Sequence, residues 1–301
     1  MRIRHFSFMG IRRLDGLKKD LPRSSDTDLI VVHGGRARGK TTFLDTVAAA
    51  KEKIAEYGSP DSRWDGVVAS SAGAAKVAID WEPSEAERSR MGLSDPLLSS
   101  ESILGAARSP ADSPIGLRGL LSDPGDATRG SVHYLHDTRQ LDGPLSYGAD
   151  DAAFRQRLTT RNSKFGDLYD LLDQSEKAEA RARASARFAE LCPGHEIVGL
   201  KRFGTSFYPM VKDPSGTVRS ADKFSASERQ AFLLALYTSR TPIVDSLVLV
   251  DAPEIGFGDV GATDYVRAVL RWTLTTQVVV ATASDAVRAM PEVAHVVDLP
   301  A

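Results

Sequence analysis

The sequence predicts an α/β fold in which a mainly parallel β-sheet is covered by helices. Two kinds of segment support this class. Short apolar runs, which are typical of buried parallel strands, occupy residues 27–34, 245–254 and 277–284. Segments whose apolar residues have helical spacing occupy residues 40–58, 225–240 and 261–274. Strands and helices therefore alternate at both ends of the chain, which is the order expected when helices connect parallel strands.

Weaker patterns predict the remaining elements. Shorter strands or hairpins are expected at residues 1–14, 74–82, 131–137, 196–224 and 294–299. Residues 165–192 are predicted to form a helical lid segment, and residues 83–130, rich in Ser, Ala, Gly, Asp and Pro, an irregular surface insertion with one short helix. We expect residues 1–301 to form a single domain with this helical and irregular insertion.

The composition is that of a globular protein and narrows the classes of partner. The 301 residues are 42% apolar and 26% charged, and the net charge of −2 gives the whole chain no bulk attraction for nucleic acid. Basic residues are concentrated near the start of the chain: Arg2, Arg4, Arg12, Arg13, Lys18, Lys19 and Arg23. They form either a solvated face or a local basic patch. Nucleic acid therefore remains a possible partner.

The cysteine count and the hydropathy pattern predict a compartment. Cys192 is the only cysteine, which excludes an intrachain disulfide and suits the reducing cytoplasm. No apolar run approaches the roughly 18 residues that span a bilayer, so we expect no membrane contact. The sequence therefore predicts a cytoplasmic protein.

A phosphate-binding loop is the strongest motif. The stretch HGGRARGKTT, residues 33–42, matches the pattern Gly-x4-Gly-Lys-Ser/Thr between a predicted strand and a predicted helix. Its glycines let backbone N–H groups turn towards phosphate oxygens, and the helix N-terminus adds partial positive charge. Lys40 would reach the β- and γ-phosphates of ATP, and the Thr41 hydroxyl would bind Mg²⁺. The predicted cofactor-binding residues are Gly34, Gly35, Arg36, Ala37, Arg38, Gly39, Lys40, Thr41 and Thr42.

The middle of this loop is unusual because Arg36 and Arg38 stand there. Guanidinium groups can add charge-assisted contacts to phosphates, or these two can point into solvent. The sequence leaves both alternatives open.

An acidic strand end supplies the second part of a nucleotide site. The run LVLVDAPE places Asp251 directly after four apolar residues. A carboxylate at the carboxyl end of a parallel strand lies where ligands bind in such sheets, and it would hold Mg²⁺ through water. The predicted metal ligands are thus Thr41 and Asp251, and the predicted cofactors are ATP and Mg²⁺.

The order of these motifs resembles the ABC-type P-loop ATPases of the RecF/SMC/OLD group. The resemblance rests on VVHGGRARGKTTFLDTV, KFSASERQAFLLAL, LVLVDAPEIGFGD and QVVVATASD, and it covers residues 1–58 and 190–299. It implies an ABC-type ATPase head, and it places Ser225, Ser227 and Glu228 in the signature segment that contacts the ATP of a second head. It therefore implies a homodimer or a head-domain partner. The loop at 136–143 would carry the family's arginine or glutamine.

Departures from the family pattern concern hydrolysis. Ala252 stands where the family has the glutamate that polarises the attacking water, Ala283 where it often has a histidine, and Ser227 where it has glycine. Alanine cannot accept a proton, and losing a general base costs about 10²- to 10⁴-fold in rate. Glu254 lies two residues after Ala252 and is the candidate catalytic residue that could substitute.

Two functions follow from this pattern. The first is an ATP-binding protein with weak or absent hydrolysis, which acts as a nucleotide-dependent dimerising switch or adaptor for a separate effector protein. The second is an active ATPase that couples hydrolysis to DNA-related or anti-phage work. A small-molecule kinase is a third class, but such enzymes need no helix like the one that SASERQ begins.

Overall fold

The computed structural model describes residues 1–55, 66–105, 111–122, 132–136, 172, 178–203, 206–240 and 243–300. The strands, in chain order, are β1 (Arg2–Met9), β2 (Lys18–Asp20), β3 (Asp28–His33), β4 (Ala75–Glu82), β5 (Leu98–Leu104), β6 (Val132–Leu135), β7 (Glu196–Phe203), β8 (Ser206–Lys212), β9 (Val218–Ser220), β10 (Ile243–Val244), β11 (Leu247–Asp251), β12 (Thr273–Leu274), β13 (Gln277–Thr282) and β14 (Val293–Asp298). The helices are α1 (Lys40–Ile54), α2 (Glu85–Met91), α3 (Ile115–Ser122), α4 (Ala178–Leu191), α5 (Ala226–Arg240), α6 (Gly258–Trp272) and α7 (Asp285–Arg288).

A five-stranded sheet with the order β14-β3-β13-β11-β6 forms the centre of the fold. All of its neighbouring pairs are parallel, which confirms the predicted α/β class. The register pairs His33 with Thr282 across β3 and β13, and Asp251 with Ala281 across β11 and β13. The carboxyl ends of these three strands therefore lie at one edge of the sheet.

Helix α1 packs between the central sheet and a second, antiparallel sheet. The second sheet has the order β2-β1-β4-β5, and β1 with β2 forms the predicted N-terminal hairpin. The rings of Phe6 and Phe8 lie 5.0 and 5.3 Å from the ring of Phe43 on α1. Because α1 is covered on both sides, even the run Ala48–Ala50 is buried, as expected of a helix inside a core.

Helices α4, α5 and α6 cover the opposite face of the central sheet. Phe188 of α4 and Phe232 of α5 lie edge to face, with ring centroids 5.5 Å apart. Beside them β7, β8 and β9 form a three-stranded antiparallel sheet, where a hairpin was predicted. The predicted turn at 213–216 joins β8 to β9, and the Gly216 amide donates to the Asp213 carbonyl at 2.9 Å.

The segment 83–130, predicted as a surface insertion with one short helix, contains helices α2 and α3 and also a strand that was not predicted. Residues 98–104 form β5, which pairs with β4 in the antiparallel sheet. The serines in LSSESIL do not predict a buried strand, because buried strand positions are usually apolar. Ser100 and Ser102 are buried with their hydroxyls hydrogen-bonded, the first accepting from Trp81 Nε1 at 2.8 Å and the second donating to the Ala50 carbonyl at 3.2 Å.

Some predicted segments extend past the described residues. The lid helix expected at 165–192 is described from Ala178, as α4. Of the loop at 136–143 only His136 falls within the described chain. Within the described ranges, no helix combines the length and the apolar character needed to cross a membrane.

The N-terminal basic residues do not all form a solvated face. Arg2 pairs with the buried Asp28 at 2.9 Å, and Arg4 lies 3.5 Å from the same carboxylate. Burial alone would raise the pKa of Asp28, but hydrogen bonds from Ser24 and Ser25, together with the charge of Arg2, lower it below its ordinary value. This cluster ties β1 to the start of β3.

We predict that Asp28→Asn destabilises the fold by about 3 kcal/mol, because it leaves the buried Arg2 without its carboxylate partner, whereas Arg4 keeps its pair with Glu82. Urea unfolding at neutral pH measures the change. Asp26→Asn is the matched control, because the Asp26 side chain is 83% exposed and its pair with Arg23 lies at the surface. A loss no larger than that of the control would contradict the assigned role.

The Arg2–Asp28 ion pair also makes the free energy of unfolding depend on pH. Because the pKa of Asp28 is lower in the folded protein, its contribution is complete above about pH 4, the ordinary range of an unfolded aspartate, and disappears as the pH falls through the folded value. The gap in stability between the wild type and Asp28→Asn should therefore narrow in acid.

Candidate nucleotide-binding site

The predicted phosphate-binding loop connects β3 to α1 at the carboxyl edge of the central sheet. Gly39 precedes the helix with φ 92°, in the left-handed region that favours glycine. A Cβ atom there would lie 3.2 Å from Leu14 Cδ2. The Arg13 guanidinium donates a hydrogen bond to the Ala37 carbonyl. The backbone of Ala37 is also left-handed, with φ 59°. The N-terminal hairpin thus supports the loop from outside.

Lys40 lies across this loop and faces two carboxylates. Its Nζ donates to the carbonyls of Gly34 at 2.8 Å and Gly35 at 2.6 Å. Partial burial lowers the pKa of Lys40, and the charges of Glu254 and Asp251 oppose this shift. The structure therefore brings Lys40 together with two predicted site residues, Asp251 and Glu254, that lie more than two hundred positions later in the sequence.

Asp251 ends β11 and is 1% exposed. Thr41 lies in the first turn of α1 and is half-buried. Within the described ranges, no cluster of three or more His, Cys, Asp or Glu side chains could hold a metal by itself. A buried carboxylate and a hydroxyl beside a phosphate loop fit Mg²⁺, which typically binds one or two protein groups and completes its shell with phosphates and water.

Glu254 is held against the end of β13. Its Oε2 accepts a hydrogen bond from the Thr282 hydroxyl at 2.6 Å, and its Oε1 accepts one from the Ala283 amide at 2.9 Å. Ala252 has φ 46° and donates its amide to the Ala281 carbonyl at 2.8 Å. The chain turns after Asp251, and Glu254, not Ala252, joins Asp251 in supplying negative charge near Lys40.

The predicted signature residues begin α5. Ser225 and Glu228 form a reciprocal cap: the Ser225 amide and hydroxyl donate to Glu228 Oε2 at 2.8 and 2.7 Å, and the Glu228 amide donates to Ser225 Oγ at 3.3 Å. Glu228 Oε1 also accepts from His195 Nε2 at 3.0 Å and from Arg219. Ser227 Oγ lies 3.2 Å from Ser225 Oγ.

The start of α5 touches the loop after β11, within the same protomer. Gly256 has φ 88°, and a Cβ atom there would lie 2.8 Å from the Ser227 nitrogen. The described contacts of Ser225, Ser227 and Glu228 do not include residues 34–42. Among the described residues, the signature segment thus contacts the loop that follows β11, which carries Glu254.

Arg36 and Arg38 are both exposed. The aliphatic stem of Arg38 folds back over the loop. A Cβ atom added to Gly34 would lie 3.4 Å from Arg38 Cβ, and one added to Gly35 would lie 3.9 Å from Arg38 Cγ.

Sequence reasoning missed several contributors to this site. Arg13 was noted only as part of a basic cluster, and Thr282 only as the neighbour of a missing histidine. His195 lies between two predicted segments and Arg219 within one of them, and neither position indicates a link to the signature helix. No spacing rule predicts these contacts, because each joins residues from separate elements of the fold.

The fold is similar to that of solved SMC head domains. One is an SMC head bound to the C-terminal winged-helix domain of ScpA, with a TM-score of 0.57 and 15% identity, covering 96% of this chain and 91% of that chain. Another is a Pyrococcus furiosus Smc head with an extended coiled coil bound to the C-terminal domain of ScpA, with a TM-score of 0.53 and 12% identity, covering 95% and 91%. This likeness confirms the predicted ABC-type P-loop fold. No protein-family model and no curated protein matches the sequence.

We predict that Lys40→Ala lowers ATP affinity about tenfold to a hundredfold, because it removes a charge-assisted hydrogen bond to phosphate. Isothermal titration with Mg·ATP measures the change. Lys53→Ala, near the far end of the same helix, is the matched control and should bind ATP as the wild type does. Equal affinities for Lys40→Ala and the wild type would place the nucleotide elsewhere.

Proposed function

We propose that the protein binds Mg·ATP at residues 34–42 and acts as a nucleotide-dependent dimerising switch or adaptor for a separate effector protein, with weak or absent hydrolysis. One observation carries the proposal. The phosphate loop, Lys40, Asp251 and Glu254 meet at one edge of the sheet, while the position where a general base is expected is Ala252.

The binding chemistry assigned to each group follows from its type and place. The amides of residues 34–39 and the N-terminus of α1 would hold the phosphates, with Lys40 supplying a full positive charge. The Thr41 hydroxyl and the Asp251 carboxylate would hold the cation, directly or through water. Arg36 and Arg38, both exposed, would lie on the phosphate side of the loop.

Slow hydrolysis is proposed because of the groups near the reacting phosphate. The methyl group of Ala252 cannot orient or deprotonate water. Glu254 is the nearby carboxylate that could do so, but both its oxygens already accept hydrogen bonds from the end of β13. These hydrogen bonds hold the carboxylate at the end of β13, two residues along the chain from the position where the family's glutamate stands. Turnover through Glu254 would therefore be slower than through a glutamate at position 252.

Dimerisation is proposed from the surface around the start of α5. Ser225 is exposed there, the adjacent loop exposes Ile255 by 44%, and the first turn of α6 exposes Val260 by 76%. These apolar groups lie after β11, at the same edge of the sheet as the phosphate loop. A second head that docked on this edge would cover them and bring its signature segment to the nucleotide. A similar head binds a ScpA domain, and by analogy we propose a protein effector for this chain.

A second candidate is an active ATPase that drives DNA-related or anti-phage work. It is favoured by the position of Glu254, whose carboxylate faces Lys40 and is held in one orientation by Thr282 and Ala283. Nucleic acid would then be a partner, and the exposed arginines beside the loop would be candidates for contact with it.

We predict that Mg·ATP converts the wild type from monomer to dimer while phosphate release stays at the level of Lys40→Ala. Light scattering after gel filtration measures the mass, and a phosphate-release assay on the same samples measures turnover. Lys40→Ala should remain monomeric. Clear turnover that is lost in both Lys40→Ala and Glu254→Gln would overturn the switch and support the active ATPase.

A further inference from the structure

Thr282 makes a contact that a strand residue does not need for packing alone. It ends β13 and is fully buried, and its hydroxyl lies 2.6 Å from Glu254 Oε2. The next residue, Ala283, directs its backbone amide to the other oxygen of the same carboxylate at 2.9 Å. The end of β13 thus donates a hydrogen bond to each carboxylate oxygen of Glu254.

The direction of these hydrogen bonds is fixed. The Ser284 amide donates to Thr282 Oγ1 at 2.9 Å, so the hydroxyl oxygen is an acceptor in that bond. A hydroxyl has one proton, and here that proton is directed to Glu254. The Ser284 side chain in turn accepts from the Val287 amide at 3.1 Å and caps α7, so it holds the segment that follows Thr282 in place.

We propose that Thr282 is a positioning residue, which holds the carboxylate of Glu254 in the one orientation from which it can act on a nucleotide beside Lys40. This inference rests on the proposed function, because it assigns Glu254 to the nucleotide site. It adds a residue that no motif at the phosphate loop or the acidic strand end contains.

The charged groups near Glu254 explain why an uncharged hydrogen-bond donor suits position 282. The charges of Asp251 and Glu254 both influence Lys40. At the neighbouring end of β3, His33 lies 3.3 Å from Asp285 of α7. A charged group in place of Thr282 would alter the balance between Lys40 and the two carboxylates. A hydroxyl orients Glu254 and leaves that balance unchanged.

Positioning differs from packing in what each substitution does. Thr282→Val keeps the shape of the side chain but removes the donor, whereas Thr282→Ser keeps the donor and removes a methyl group. If the hydroxyl positions Glu254, valine should be the damaging substitution and serine the tolerated one. If Thr282 only fills the core, the loss of the methyl group should be as harmful as the loss of the hydroxyl.

The first experiment is single-turnover phosphate release with the protein in excess over ATP, which can detect slow hydrolysis. We expect Thr282→Val to lower the rate about tenfold to a hundredfold, the worth of a hydrogen bond to a charged group, with ATP affinity unchanged. Thr282→Ser should stay within about threefold of the wild type, since it keeps the same donor. A serine variant as slow as the valine variant would overturn the proposal.

The second experiment needs no turnover. The amide proton of Ala283 reports the carboxylate it donates to, and its NMR chemical shift can be followed in each folded variant. We expect Thr282→Val to move this resonance towards its place in Glu254→Ala, and Thr282→Ser to leave it near the wild type. An unchanged resonance in Thr282→Val would overturn the positioning role. If the wild type shows no turnover, only the claim of residual hydrolysis is contradicted. The amide resonance of Ala283 would then still test the role of Thr282.

Discussion

The burial of helix α1 between two sheets is the constraint on which the site depends. The helix is covered by the central sheet on one side and by the antiparallel sheet on the other, with Phe43 packed against Phe6 and Phe8. A helix fixed in this way presents its N-terminus at one place, and the loop before it must pass close to Leu14, which Gly39 allows. The shape of the phosphate loop therefore follows from how the core is filled.

The in-register pairing of β3, β13 and β11 adds the second half of the site. Because parallel neighbours end at the same edge, residues far apart in the sequence lie side by side there. Lys40 follows the first strand, Thr282 ends the second and Asp251 ends the third. Glu254 then folds back onto β13 rather than extending into solvent, and this links the acidic loop to the central strand.

The same acidic loop connects the nucleotide edge to the start of α5. Gly256 approaches the backbone of Ala226 and Ser227 so closely that any side chain there would force a shift. Glu228 holds that helix start through Ser225 and also contacts His195 and Arg219. Burial alone would raise the pKa of Glu228, but the hydrogen bonds from Ser225 and Arg219, with the charge of Arg219, lower it below its ordinary value. A change at Glu254 therefore has a short covalent path to the surface proposed for dimerisation.

Local patterns predicted the parts of this structure that local chemistry determines. The phosphate loop and the buried strands are encoded in consecutive residues, so the loop at 34–42 and Asp251 could be located from the sequence. Contacts across the fold could not be located in this way. Whether Glu254 meets Thr282, and whether Ser100 is buried against Trp81, depends on the register of strands that the sequence separates. The strand at residues 98–104 could not be predicted for the same reason, because Ser100 and Ser102 find their hydrogen-bond partners on β4 and on helix α1.

The central claim is that the carboxyl edge of the central sheet holds a nucleotide and a cation, and an experimental structure with Mg²⁺ and a non-hydrolysable ATP analogue tests it most directly. The account predicts the triphosphate within residues 34–42, with Lys40 turned from the carbonyls of Gly34 and Gly35 to the phosphates and the cation beside Thr41 and Asp251. A nucleotide bound elsewhere on the chain, or Lys40 still donating to those two carbonyls beside bound phosphate, would contradict it.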